Sequence, residues 1–332
     1  MDYSRLGLAA LLAVAVAFAS VKTQQAPVRV TSLPLLPQTT LADFIAVVKG
    51  RLPRTASEGF VEPSQSEREA FTAAMTTALY GGLPIAEMAA LNYETMLLRD
   101  KISGRSYIVF VEKQNNARGL GTYILGARPR RNIILEIPHP LFDINTPEQG
   151  ASIFEETGAR AMFISGAHRC ANAAVSPCTP AGSSACDGMT RVSDVAHYTQ
   201  NFFHAAHRAT LGLRTPPVVI QLHGNANDSL PDVVLSDGTS RNQDERALAN
   251  RLRTALRSFN VSAGSCNSQA DGGLALCGGT SVQGRLSNGS TDACTSSAVS
   301  STGLFIHVEQ HIDIRREPAR LIDTLKEVFP VW

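Results

Sequence analysis

The feature that most constrains the fold is an alternation of short apolar runs with longer amphipathic stretches, which begins at about residue 92. Short apolar runs are typical of buried strands, and the stretches between them show helix periodicity. The predicted strands cover residues 93–98, 107–112, 122–125, 132–137, 161–165, 218–222 and 304–312, and helices are predicted after residue 146 and over residues 195–209, 244–259 and 318–328. This alternation predicts an α/β fold, a three-layer sandwich with a mixed but mostly parallel central sheet.

The residues before 91 divide into two segments. Residues 6–19 form an apolar run behind Arg5, too short for a comfortable membrane span, and a small-x-small site ends at Ala19. This pattern predicts a signal peptide over residues 1–19 and a secreted or periplasmic protein with no stable membrane span after cleavage; an uncleaved anchor is the alternative. Residues 20–90 are predicted to be a linker and helical extension, either a pro-segment or a lid, and residues 91–332 the α/β catalytic domain.

Two helices are predicted within the extension. Thr40 is a candidate N-cap for a helix that runs through Leu52, and Ser64 or Ser66 for a second helix that runs through about Tyr80. Short polar side chains of this kind accept hydrogen bonds from the free N–H groups of a first helical turn.

The cysteines are typical of an exported protein with disulfides, and the net charge disfavours a nucleic-acid-binding protein. Six cysteines lie in Gly/Ser/Ala/Pro-rich stretches, at positions 170, 178, 186, 266, 277 and 294, and none of the spacings is C-x-x-C. In an exported chain this predicts disulfides that clip two loops, with the pairing left open, rather than a zinc knuckle. The formal net charge of +1 argues against nucleic-acid binding.

Histidines follow three of the predicted strands. All eight histidines lie between residues 139 and 311, and His139, His168 and His223 each come just after an apolar run. In open α/β sheets the active crevice lies outside the carboxyl ends of the strands. We therefore expect these imidazoles to meet at one edge of the sheet.

A metal centre is the chemistry that this arrangement favours. His139, Asp143 and His223 supply two nitrogens and one carboxylate, a donor set that suits a single Zn²⁺. Asp143 is open to another interpretation, because it could serve the turn before the next helix and leave Glu136 or another group as the ligand.

Two predicted helices begin near these residues in the sequence. Thr146 is predicted to be an N-cap, with Pro147 at the first position and Gln149 as its capping-box partner. Asp194 is predicted to cap the helix over residues 195–209, which places His197 and His204 on one helix face. Asp194 and His197 are candidates for holding metal ligands in place, and a structural or supporting role is expected for His204 and His207.

The last predicted strand carries a candidate general base. Period-two alternation places Phe305, His307, Glu309 and His311 on one face. Glu309 beside a metal-activated water suits general-base chemistry, with His307 as a supporting residue. A solvated polar face is the alternative interpretation.

Cationic and amide side chains supply candidate substrate contacts. His168, Arg169 and Asn172 follow a predicted strand, and Arg315 follows the last one. Arginine suits a substrate carboxylate or a developing oxyanion, so Arg169 is predicted to act in both binding and catalysis.

The order of these groups resembles the zinc carboxypeptidase superfamily, and within it the N-formylglutamate amidohydrolases and poly-γ-glutamate hydrolases. The stretch "HVEQHIDIR" followed by "EPARLIDTLKEVF" is similar to the late glutamate strand and closing helix of these two groups. The resemblance covers about residues 92–332 and implies a phosphorylase/hydrolase-like sandwich.

The resemblance also assigns roles to residues. It implies that His139 and His223 are the histidine ligands, that Asp143 replaces the ligand glutamate, and that Glu309 is the general base. Arg169 and Asn172 would bind a carboxylate or oxyanion. Carboxypeptidases proper use His-x-x-Glu where this chain has His-x-x-x-Asp, which favours the amidohydrolase-like branch.

The sequence thus predicts a secreted zinc-dependent hydrolase that cleaves an amide or peptide bond in an acidic or carboxylate-bearing substrate, such as a peptide, a glutamyl polymer or a cell-wall-derived fragment. One alternative is a phosphoesterase with two metals, held by Asp143, Asp194, His168 and His197. The other is a secreted binding or envelope protein whose histidines are structural.

Overall fold

The computed structural model describes residues 33–36, 38–180 and 185–332. Within them the strands are β1 (Tyr93–Arg99), β2 (Ser106–Glu112), β3 (Thr122–Gly126), β4 (Ile133–Ile137), β5 (Ala161–Ile164), β6 (Val218–Gly224), β7 (Val233–Ser236), β8 (Ala263–Ser265) and β9 (Phe305–Gln310). The α-helices are α1 (Leu41–Arg51), α2 (Gln65–Leu79), α3 (Ile85–Ala90), α4 (Thr146–Thr157), α5 (Phe202–Leu211), α6 (Leu248–Ser258), α7 (Val282–Ser287), α8 (Ile312–Arg316) and α9 (Ala319–Val328).

The nine strands form one mixed sheet in the order β1-β2-β3-β5-β4-β6-β9-β7-β8. Strand β4 is parallel to β5 and β6, β6 is parallel to β9, and β7 is parallel to β8. The other four neighbouring pairs are antiparallel: β1 with β2, β2 with β3, β3 with β5, and β7 with β9. The α/β class is confirmed, whereas parallel pairing predominates only at the centre of the sheet.

The sheet packs against helices through two apolar clusters. Strand β4 sends Ile133 and Leu135 into one cluster and Ile134 into the other, since successive side chains of a strand point to opposite faces. Helices α1, α4, α6 and α9 contribute to the first cluster, and α2, α3 and α5 to the second. The central strands are therefore buried, as their almost continuous apolar sequences require.

The two helices predicted before residue 91 are present. Thr40 and Ser64 each accept a hydrogen bond from the backbone N–H three residues later, and both belong to capping boxes. Helix α1 packs in the first apolar cluster and α2 in the second. The predicted signal peptide, residues 1–19, lies outside the described residues, and no helix within them is both long and apolar enough to span a bilayer.

The predicted start of α4 is wrong in its details. Asn145, with a φ of 70°, occupies the N-cap position, and Thr146 is already helical. The Thr146 hydroxyl donates instead to the carbonyl oxygen of Asp143, 2.8 Å away. The Gln149 amide reaches across to Gln310 on β9 at 2.6 Å, so this buried glutamine binds another amide rather than the helix start.

The helix predicted over residues 195–209 begins only at Phe202. Asn201 is its N-cap, and its side-chain oxygen accepts from the backbone N–H of His204 at 2.7 Å. Asp194 therefore caps no helix, and His197 lies in a turn outside α5 rather than on a helix face shared with His204. The carboxylate of Asp194 instead contacts the side chains of His139, Arg169 and His197, so the prediction that it caps a helix is wrong.

All six cysteines form disulfides, as the sequence predicted. The pairs are Cys170–Cys186, Cys178–Cys294 and Cys266–Cys277. The second pair joins the two cysteine-rich loops to each other across 116 residues of sequence. Both loops are thereby fixed over the carboxyl ends of the central strands.

Candidate metal centre

Three adjacent parallel strands, β4, β6 and β9, bring the candidate residues to one edge of the sheet. His139 lies two residues beyond β4, His223 lies near the end of β6, and Glu309 lies near the end of β9. The strand register pairs His223 directly with Glu309. The predicted meeting of imidazoles at the carboxyl ends of parallel strands therefore occurs for His139 and His223, with Glu309 beside them, whereas His168 does not line the same cavity.

His139, Asp143 and His223 form a compact cluster of donor atoms. Nδ1 of His139 lies 3.2 Å and Nδ1 of His223 lies 3.4 Å from the same carboxylate oxygen, Oδ2 of Asp143. A tight turn places Asp143, because its backbone N–H donates to the carbonyl oxygen of His139 at 2.9 Å. The three ligand atoms lie within 4.8 Å of one another and could hold one metal ion. Two imidazoles and a carboxylate are a donor set that suits zinc.

The outer nitrogen of each of these histidines also has a partner. Nε2 of His139 lies 2.9 Å from Oδ1 of Asp194, and Nε2 of His223 lies 2.9 Å from Oε1 of Gln221. Metal-ligating histidines usually donate their second ring N–H to a carboxylate or carbonyl oxygen, which leaves the first nitrogen free for the ion. The hydrogen bonds around both rings therefore fit a metal between the two Nδ1 atoms.

Asp194 connects His139 to the neighbouring loops. Its second oxygen, Oδ2, accepts from Nε of Arg169 at 2.9 Å, and its first oxygen lies 3.1 Å from Nδ1 of His197. Nε2 of His197 in turn lies 3.1 Å from the Thr280 hydroxyl. Burial opposes ionisation of Asp194, but His197, Arg169 and His139 together hold its pKa well below the usual range. A carboxylate paired with arginine is a weaker ligand, so one of the two alternative groups, His139, Asp194 and His197, is less suited to a cation.

Burial and nearby charges shift the pKa values of the two candidate ligand histidines in opposite directions. Burial lowers the pKa of His223 to about 4, so this ring is neutral near pH 7. Burial and Arg169 also act to lower the pKa of His139, but the carboxylates of Asp194 and Asp143 outweigh them and raise it. Burial would raise the pKa of Asp143, and the two histidines lower it well below the usual range.

Glu309 and His307 line the same cavity, which has a volume of about 240 Å³. Burial, followed by the nearby Asp143 carboxylate, raises the pKa of Glu309 to about 8. Nε2 of His307 lies 3.7 Å from Oε1 of Glu309, and the His307 ring stacks on His223 with centroids 4.5 Å apart. These two residues share a strand face as predicted. His311 does not, because β9 ends at Gln310 and the His311 side chain pairs with Asp228.

The disulfide-linked loops form another part of the cavity wall. Pro180 comes from the first loop, and Leu276, Gly278 and Thr280 come from the second. Gly278, with a φ of +64°, packs directly against the His307 ring. Both loops therefore flank the cavity in the part of the chain that the structure describes.

Three predicted substrate-binding residues lie outside the cavity wall. Nδ1 of His168 accepts from the backbone N–H of Cys170 at 3.0 Å. The Asn172 amide donates to the carbonyl oxygen of Phe60 at 3.0 Å. Arg315 is buried and donates to the carbonyl oxygens of Ile144 and Asn225. Arg169 alone of the four reaches the wall of the cavity.

Glu136 does not replace Asp143 among the candidate ligands. Its carboxylate lies 2.8 Å from Nδ1 of His207 and 3.0 Å from the Gln221 amide nitrogen, within the buried part of the sheet face. His207 thus has the structural role that the sequence predicted. Gln221 was missed, although a polar residue two positions before His223 in an apolar strand was a visible signal.

No family model matches this chain, and no curated protein matches it in sequence. Similar solved structures include a zinc-free form of YndL, at 14% identity and a TM-score of 0.35, over 59% of this chain and 82% of that one. They also include a bacteriophage poly-γ-glutamate hydrolase, at 13% identity and a TM-score of 0.37, over 64% of this chain and 90% of that one.

Proposed function

We propose that this chain is an exported zinc-dependent hydrolase that cleaves an amide or peptide bond in a carboxylate-bearing substrate. The observation that supports this most is the convergence of two Nδ1 atoms on one Asp143 oxygen, with the outer nitrogen of each ring already engaged. Zinc held by His139, Asp143 and His223 would supply a Lewis acid for the scissile carbonyl and activate a water molecule. The three disulfides support export, because such bonds persist in oxidising compartments.

Glu309 is the proposed general base. Its carboxyl group lies in the cavity wall beside His223 and has a pKa of about 8 in the metal-free chain. A carboxyl group whose pKa is close to the working pH can accept a proton from the attacking water and return it to the leaving nitrogen. A cation next to Glu309 favours the carboxylate form that this first step needs.

Arg169 is the proposed contact for a substrate carboxylate or for the developing oxyanion. Two of its nitrogens, Nε and Nη2, donate to Asp194, and its guanidinium lies over the Phe142 ring at 5.0 Å. These contacts hold the planar group at the cavity wall before substrate arrives, and such preorganisation is what makes charge stabilisation effective. A peptide, a glutamyl polymer and a cell-wall-derived fragment all present a suitable carboxylate.

The test is metal content per chain in purified protein that has never met a chelator. We expect about one zinc in the wild type, none in His139→Ala or His223→Ala, and full retention in His311→Ala, whose histidine lies outside the cluster. Glu309→Gln should keep the zinc but lose on the order of 10²- to 10⁴-fold in hydrolysis of peptide and γ-glutamyl substrates. Two metals per chain would favour a phosphoesterase, and none would favour a binding protein with structural histidines.

A further inference from the structure

A row of buried polar side chains crosses the central strands just below the metal centre. The strand register places Glu136 on β4 beside Gln221 on β6, and Gln221 beside His307 on β9. Glu136 and Gln221 have no solvent-exposed surface. Buried polar groups at this depth are costly unless every donor meets an acceptor, so the hydrogen-bond directions within the row are constrained.

A backbone carbonyl oxygen at one end of the row can only accept, and this fixes which groups donate and which accept in the hydrogen bonds of the row. The Gln283 amide nitrogen lies 2.8 Å from the carbonyl oxygen of Val195, so it donates there. The Gln283 oxygen therefore faces Gln221, whose amide nitrogen lies 3.2 Å away and also 3.0 Å from Oε2 of Glu136. Two acceptors on one side fix the Gln221 nitrogen on that side and turn its oxygen toward His223.

This orientation decides which nitrogen of His223 carries the proton. The Gln221 oxygen accepts from the Ser281 hydroxyl at 3.0 Å and faces Nε2 of His223 at 2.9 Å. The 2.9 Å hydrogen bond to an oxygen that only accepts requires an N–H on Nε2, which leaves Nδ1 as the nitrogen that can offer a lone pair to a metal. The Asp143 oxygen also only accepts, but it lies farther from the ring, 3.4 Å from Nδ1, so the shorter contact with Gln221 favours the proton on Nε2.

We propose that Gln221 is a positioning residue that fixes the tautomer and ring orientation of His223, and that Gln283 locks Gln221 in this role. The consequence for zinc rests on the proposed function, whereas the tautomer assignment does not. His139 needs no such device, because the carboxylate of Asp194 on its outer nitrogen can only accept. An amide could present either end, so His223 depends on the anchor behind Gln221.

The first measurement is the ¹⁵N NMR signature of His223 in the full metal-free chain, with zinc affinity measured separately by chelator competition. We expect one tautomer, with the proton on Nε2, in the wild type and a mixture in Gln221→Met. Zinc affinity should fall about 10- to 100-fold in Gln221→Met, as is usual for groups that orient a metal ligand.

Two further variants separate this role from general destabilisation. Gln283→Met leaves Gln221 in place but removes its anchor, and it should also give mixed tautomers. Asn250→Leu removes buried amide hydrogen bonds far from the cluster, to the carbonyl oxygens of Gln243, Asp244 and Asn267, and should leave zinc affinity unchanged. A single Nε2–H tautomer and wild-type zinc affinity in both glutamine variants would overturn the proposal. A wild type that shows the single tautomer but binds no zinc would refute the proposed function alone.

Discussion

Nε2 of His139 lies 2.9 Å from Oδ1 of Asp194, and both side chains are almost completely buried. The other nitrogen of the same ring lies 3.2 Å from Asp143, so the imidazole sits between two carboxylates and its pKa is raised. In the metal-free chain this favours a doubly protonated ring. A metal at Nδ1 would displace one proton, and the hydrogen bond to Asp194 would remain.

Asp194→Asn should weaken zinc binding about 10- to 100-fold, because the ring of His139 loses its negatively charged partner. It should also lower the free energy of unfolding by about 3 kcal/mol, since the largely buried Arg169 loses its counter-ion. Zinc affinity is measured by chelator competition and stability by urea denaturation. Asp228→Asn, which alters an exposed pair with His311, is the control and should change neither. Unchanged zinc affinity in Asp194→Asn would contradict the role assigned to this carboxylate.

Because the pKa of Glu309 is raised, we expect this residue to lower the free energy of unfolding of the metal-free chain in a pH-dependent way. Below about pH 4.5 both the folded and the unfolded states hold this proton, and between pH 4.5 and about 8 only the folded state does. Stability relative to Glu309→Gln should therefore fall as the pH rises across this range, by at most about 5 kcal/mol, and level off above it. Urea denaturation of both proteins at pH 5, 6, 7 and 8 measures the difference. A difference that grows more favourable with pH would show that burial does not dominate at Glu309.

Gly278→Ala should destabilise the protein and displace the His307 ring. A Cβ atom at this position would lie 2.5 Å from Cγ of His307, and the φ of +64° is itself unfavourable for alanine. Gly273 is a matched control, because its φ is +86° but a Cβ atom there meets nothing within 4 Å. We expect Gly278→Ala to cost about 1–3 kcal/mol more than Gly273→Ala in urea denaturation. Equal losses would indicate that the close contact with His307 relaxes freely.

Two of the three disulfides should differ clearly in their contribution to stability. The Cys178–Cys294 bond closes a loop of 116 residues and the Cys266–Cys277 bond a loop of 11. Replacing both cysteines of a pair with serine should cost about 5 kcal/mol for the long loop and about 3 kcal/mol for the short one, if the entropy of the unfolded chain dominates. The free energy of unfolding of each double variant measures this. The opposite order would mean that strain or residual structure outweighs loop length.

Local patterns in the sequence predicted the elements that carry the site. Apolar runs marked the central strands, and the residues that follow them, His139 and His223, indicated where a metal could bind. Period-two alternation placed His307 and Glu309 on one strand face, as the structure has them. Capping residues marked the starts of α1 and α2. These features depend on neighbours within a few residues, so a single chain reveals them.

Only the tertiary structure decided which distant groups complete the site. Asp194 looked like a helix cap, yet its carboxylate binds His139, 55 residues away, and Gln149 looked like half of a capping box, yet it pairs with Gln310 across 161 residues. Gln221 meets Glu136 on a neighbouring strand and Gln283 in helix α7, contacts that no local pattern indicates. The cysteine pairing was also decided by which loops meet over the sheet. Sequence periodicity records the direction in which a side chain points, whereas its partner depends on how strands and loops far apart in the chain come together.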